Sequence, residues 1–91
     1  MKFRITRHSS YSPPADAIEL LWERLGSKRD DAWFARVGTE IRATFGDETR
    51  ASAAREQRAE AGRRRVFEIV RGVCDEHPEL RSDWFAVSPM P

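Results

Sequence analysis

Two short segments of this chain carry residue types that do chemistry. In "RHSSYSPP", His8 is followed directly by Ser9 and Ser10. A serine beside a histidine invites a nucleophile-and-base reading. That chemistry needs the imidazole within reach of the hydroxyl and a third group to orient it. Neighbours on one loop seldom meet both conditions, and no nucleophile-elbow motif is present. The segment therefore reads as a polar connection. Cys74 and His77, spaced i, i+3, could share a metal ion. Structural zinc takes four ligands, and the chain offers no second cysteine and only His8 besides. Cys74 falls on the apolar side of a helix, where a free thiol behaves as a small hydrophobe. His77 falls near a helix C-terminus, where it can interact with the dipole. The five glycines form neither GxGxxG nor a P-loop. No catalytic, metal or cofactor site is expected, and the chain is not read as an enzyme.

The stretch "AGRRRVFEIV", Ala61–Val70, raises a different possibility, a clamp for phosphate. On a helical wheel the three arginines separate. Arg64 lies four residues from both Glu60 and Glu68, Glu68 lies three from Arg71, and Arg71 lies four from Asp75. Such a ladder neutralises an exposed helix face. Arg65 is three residues from Glu68. Arg63 falls toward the apolar side with no acidic residue at i+3 or i+4, so its stem is expected to cover Val66 or Phe67. The triplet reads as a solvated face.

The elements that position these residues follow from periodicity. "KFRIT" alternates, with Phe3 and Ile5 opposite Lys2, Arg4 and Thr6, as a half-buried strand does. "SPPADAIELLWERLG" reads as a helix, with Ser12 as its cap, Pro13 in its first turn, a stripe of Ile18, Leu21, Trp22 and Leu25, and Gly26 ending it. Residues 32–45 fit one long strand or a hairpin broken at Val37-Gly38. The hairpin register puts Ala32, Phe34, Ile41, Ala43 and Phe45 on one face and Trp33, Ala35, Glu40, Arg42 and Thr44 on the other, although valine suits tight hairpin turns poorly. From about Ser52 to Glu76 the pattern is a long helix stopped by "HPEL", buried through Ala59, Val66, Val70, Val73 and Cys74, with Phe67 and Ile69 alongside. Trp84–Val87 reads as a last strand.

The fold class is α+β, a single domain over residues 1–91. It has a three- or four-stranded sheet with two helices on one face, ordered β-α-β-β-α-β (ferredoxin-like) or β-α-β-α-β. Charged residues make up 34% of the chain and apolar ones 40%, which fits a soluble domain. The net charge of +1 excludes a global basic field. The single cysteine, the lack of an apolar run of membrane-spanning length and the polar N-terminal segment lead to a cytoplasmic expectation.

The aromatics are the most informative surface signal. "AWFA" and "DWFA" place two large rings side by side, and strand neighbours face opposite ways. One of Trp33 and Phe34, and one of Trp84 and Phe85, should therefore lie on the uncovered face with Lys2, Arg4 and Arg42. An exposed aromatic patch marks a binding surface. The expected function is a protein-interaction module, homodimeric through that face. The alternative is a single-stranded nucleic-acid binder using the same face, although no RNP1-like segment occurs. If Arg64 belongs to a neutralised ladder, Arg64→Ala should change stability by well under about 1 kcal/mol in urea melts and leave partner binding intact.

Overall fold

Alternation in the first strand sets the architecture. The computed structural model describes residues 2–45 and 55–90. In it β1 (Lys2–Arg7) buries Phe3 and Ile5 completely and turns Lys2, Arg4 and Thr6 the other way. Helix α1 (Ala17–Leu25) leads to a two-residue strand β2 (Lys28–Arg29), then β3 (Ala32–Val37) and β4 (Glu40–Phe45). Helix α2 (Arg55–Glu76), a short 3-10 turn (Ser82–Trp84) and β5 (Phe85–Pro89) follow. The strands form one antiparallel open sheet in the order β2-β3-β4-β1-β5. β1 and β3 thus run parallel with β4 inserted between them.

The sheet has five strands rather than three or four, because β2 is too short to leave a periodic signal. Its four longer strands and two helices follow the β-α-β-β-α-β order. One face is buried: Phe3, Ile5, Ala32, Phe34, Ile41, Ala43, Phe85 and Val87 form a single cluster with Ile18, Leu21 and Leu25 of α1 and Val66, Ile69, Val70 and Val73 of α2. Both helices therefore cover the same side. Leu80, just past the "HP" stop, also joins the cluster. No described helix is long and apolar enough to cross a membrane.

Residues 32–45 form the hairpin. Val37 pairs with Glu40, so the two turn residues are Gly38 and Thr39. Gly38 has φ +61°, whereas Thr39 is not in the positive-φ region. A glycine in the first central position is the II′ pattern that suits the strand twist. Val37 is the last strand residue and never enters the turn, which removes the objection from valine. Ala32, Phe34, Ile41 and Ala43 face the core as the register requires; the side chain of Phe45 lies outside the described residues.

Three boundaries differ from the periodic reading. Helix α1 starts at Ala17 with Asp16 as its N-cap, not after Ser12, and Asp16 makes no side-chain capping bond. Pro14 excludes Pro13 from helical backbone. The tandem prolines form a loop in which Pro13 is buried and accepts a hydrogen bond from the Arg7 guanidinium. Trp22 is only partly buried at the edge of the cluster. At the C-terminal end the strand runs from Phe85 to Pro89, because Trp84 closes a 3-10 turn through its N–H to the Arg81 carbonyl at 3.1 Å. Residues 52–54 of the expected long helix lie outside the described residues.

Gly62 lets α2 approach the sheet. A Cβ at this position would stand 2.7 Å from Phe3 Cε2 and closer still to Cζ. Phe3 is wholly buried on an interior strand, so its ring has nowhere to move. A Cβ on Gly72, in the same helix, would meet open space. Gly62→Ala should therefore lower the denaturant midpoint despite alanine's better helix propensity, whereas Gly72→Ala should raise stability by up to about 1 kcal/mol. Leu21→Ala removes a fully buried side chain and should cost about 2–5 kcal/mol. A change below about half a kilocalorie per mole in urea melts would place Leu21 outside the core.

Candidate functional site

The uncovered side of the sheet is built in rows by strand register. Side chains directly opposite each other on antiparallel strands share a face. One row crosses the sheet as Lys28, Trp33, Thr44 and Lys2. The next runs Ala35, Arg42, Arg4 and Ser88. Val37, Glu40, Thr6 and Ala86 lie beyond. Trp33 is 53% exposed, and Val37 on the same strand is exposed as well. The Lys28 ammonium stands 5.2 Å from the Trp33 ring centroid, within cation–π range.

Glu40 sits between the two arginines of the middle row. Its Oε2 accepts from Arg42 Nε at 2.9 Å and lies 3.8 Å from Arg4 Nε, which is buried and beyond hydrogen-bond reach of it. Among the described residues this face carries four cations, Lys2, Arg4, Lys28 and Arg42, and Glu40 pairs with the two arginines. The chain's only two lysines both stand in the row of Trp33. The overall charge of +1 conceals this excess, because the opposite charges are spent elsewhere.

Of the seven residues singled out in the sequence, four come together here: Lys2, Arg4, Trp33 and Arg42. Phe34 and Phe85 belong to the core. Trp84 does not face outward as a strand residue would. It packs partly buried against the core, edge-on to Phe85 at 6.5 Å between ring centroids. Trp33 is therefore the one large aromatic on this face among the described residues. Lys28 escaped the sequence reading because nothing marks a two-residue strand; its distance from Trp33, five positions along the chain, matches no strand or helix repeat.

The arginine triplet makes bonds within the fold. Arg63 bonds Glu60 with two nitrogens, at 2.8 and 3.2 Å, so its partner lies at i−3 rather than at i+3 or i+4. That pairing holds the Glu60 carboxyl below the ordinary carboxylate range. Arg64, well exposed, stands 3.7 Å from the same carboxylate. Arg65 reaches across to the β2–β3 turn, 3.3 Å from Asp31 and 3.6 Å from Asp30. Nearby, Arg29 bonds Glu76 at 2.7 Å and Arg24 bonds Glu79 at 2.7 Å.

The two chemical segments resolve as local structure. His8 Nδ1 accepts the Ser10 backbone N–H at 3.0 Å, and its ring meets Tyr11 at 4.8 Å. Cys74 is buried, while His77 Nδ1 lies 3.9 Å from Glu79. Among the described residues no three His, Cys, Asp or Glu side chains converge as metal ligands would. Burial, with smaller contributions from Asp75 and Asp83, pushes the Cys74 thiol from 9.0 up to about 11. At neutral pH the group is a thiol and a poor nucleophile.

Two outcomes follow for Cys74. A maleimide or disulfide reagent at pH 8 should react slowly with the native protein and fast after unfolding. Above pH 9 the unfolded chain releases this proton while the native state keeps it, so this group's contribution lowers stability as pH rises from 9 to about 11. Cys74→Ala should remove that part of the alkaline decline. Fast native labelling at pH 8 would contradict the buried thiol.

Comparison with protein-family models, with curated proteins and with solved structures finds no match for this chain.

Proposed function

We propose that this domain is a non-catalytic binding module with ferredoxin-like connectivity, and that its open sheet face docks single-stranded nucleic acid. The observation that carries the reading is the row Lys28–Trp33–Thr44–Lys2, an exposed indole beside Lys28 with Lys2 at the far end of the row and Arg4 and Arg42 one row away. An exposed aromatic gives an unpaired base a stacking platform, and cations at strand spacing can follow the phosphates. Among the described residues, four cations against one carboxylate give this face a positive field that the net charge of the chain does not reveal.

The same geometry weighs against the homodimer through this face that the aromatic pairs suggested. That contact drew on two large exposed rings, and among the described residues Trp33 stands on this face without a second. A two-fold face-to-face contact would also press the positive charge of the described face against its own copy. An anionic strand meets no such penalty. The alternative function is accordingly the one this surface supports better.

Fluorescence anisotropy with a labelled oligo-dT or oligo-U of about ten nucleotides tests the reading. Neutralising about three phosphates gives a log–log salt slope near −2, roughly a 20-fold loss of affinity between ~50 and ~200 mM salt. Trp33→Ala should weaken binding roughly 5- to 150-fold, the worth of one stacked base. The Lys2/Arg4/Arg42 triple alanine variant should flatten the slope. Bound oligonucleotide should also protect Lys2 and Lys28 from acylation. Undetectable binding at ~50 mM salt, or binding that ignores both salt and Trp33, would overturn the proposal.

A further inference from the structure

Arg4 and Arg42 stand directly opposite each other on β1 and β4, in the middle row of the open face. Like charges at opposed cross-strand positions repel, so the pair calls for an anion beside it. Glu40 supplies one. It lies two residues before Arg42 on β4, hence on the same face and diagonal to Arg4. The arginine side chains are 40% and 42% exposed, whereas that of Glu40 is 18% exposed. The carboxylate is thus the most enclosed of the three, an anion seated among cations rather than a charge on the rim.

Its fit is lopsided. Glu40 Oε2 accepts from Arg42 Nε at 2.9 Å but lies 3.8 Å from Arg4 Nε. Arg4 Nε is buried and has no acceptor within reach. A buried donor left without an acceptor is destabilising, and an oxygen in the right place would relieve it. The tether explains the miss. Glu40 springs from the same strand as Arg42, so its side chain closes on Arg42 and falls short of Arg4 on the next strand. A phosphate group carries several anionic oxygens on one atom and has no tether to the sheet. One oxygen can accept from Arg42 while another accepts from Arg4, and guanidinium groups suit such multi-oxygen anions.

We infer that Arg4 and Arg42 form a subsite for one phosphate group, and that in the free protein Glu40 occupies it as an internal stand-in which the phosphate displaces. That this phosphate belongs to a single strand rests on the function proposed above; the two arginines accept a phosphate group from either a strand or free solution. Trp33 lies opposite Thr44, two residues from Arg42 along β4. A base stacked on the indole and a phosphate of the same strand therefore occupy neighbouring rows. Displacement makes Glu40 a brake on affinity. The ligand must break the bond between Arg42 and Glu40 before its phosphate is seated, and the freed carboxylate turns to solvent.

Two titrations of the full chain test the subsite, one of them without nucleic acid. Inorganic pyrophosphate is added to isotope-labelled protein at constant ionic strength, and the arginine Nε–H resonances are followed. Those of Arg4 and Arg42 should shift saturably. Glu40→Gln should bind the probe roughly three- to tenfold more tightly, the worth of one displaced ion pair. Labelled oligo-dT at low salt should show the same gain. In an Arg4→Ala/Arg42→Ala background the gain should vanish, because Glu40 then blocks nothing, whereas a long-range charge effect would persist. Glu19→Gln removes the same charge from α1, where Glu19 pairs with Arg36, and should leave both affinities unchanged. Glu40→Gln keeps the side chain's size and should give a native circular dichroism spectrum; Glu40→Thr, a residue suited to strands, provides a second variant. Arginine signals unmoved by pyrophosphate, equal affinities for wild type and Glu40→Gln, or a gain that survives without the arginines would each overturn the inference, even if the oligonucleotide binds. Pyrophosphate seated on the two arginines with no oligonucleotide bound would uphold the subsite and overturn the nucleic-acid function.

Discussion

The ring of Phe3 rests on the backbone of Gly62, and the rest of the arrangement depends on that contact. β1 is bonded on both edges, to β4 and to β5, so Phe3 is anchored on an interior strand of the sheet. With no Cβ in the way, α2 lies close enough for Val66, Val70 and Val73 to fill the space under the strands. Once Phe3 and Ile5 are committed to the helices, a period of two sends Lys2, Arg4 and Thr6 to the other side. Strand pairing then carries the division across β4 and β3. The open face is thus a geometric consequence of where the core lies.

The charges obey a similar division. Around the helices and loops, guanidinium groups are closed onto carboxylates: Arg63 on Glu60, Arg24 on Glu79, Arg29 on Glu76 and Arg65 on the turn aspartates. These are solvated contacts of small individual worth. Their effect is to neutralise the surface away from the sheet face. There, among the described residues, Glu40 pairs with the two arginines, while Lys28 stands over Trp33 and Lys2 ends the same row. A chain of nearly zero net charge can in this way present a local positive field to an anionic strand.

Much of this was legible in the residues. The alternation of "KFRIT", the stripe of Ile18, Leu21 and Leu25, the two faces of the hairpin and the apolar side of the long helix are all repeated patterns, and burial follows them. What was not legible depends on single contacts. The tandem prolines delay α1, because Pro14 keeps Pro13 out of helical backbone, and the bond from Arg7 to the Pro13 carbonyl that fixes the loop is encoded by no periodicity. Trp84 looked like a strand residue beside Phe85, but a local turn takes it out of the alternation and returns it to the core. Lys28 reaches the face through a strand of two residues. Of the site, the cations of β1 and β4 and the indole of β3 could be found from spacing; the aromatic richness expected around them could not survive the loss of Trp84 and Phe85 to the interior.

The most direct test is an amide and indole NMR titration of the isotope-labelled protein with a short single-stranded oligonucleotide at low salt. The account predicts shifts concentrated at the Trp33 indole N–H and at Lys2, Arg4, Lys28, Arg42 and Thr44, with the outward faces of α1 and α2 unchanged. Shifts centred on Arg63, Arg64 and Arg65, or a spectrum unmoved by excess oligonucleotide, would contradict it.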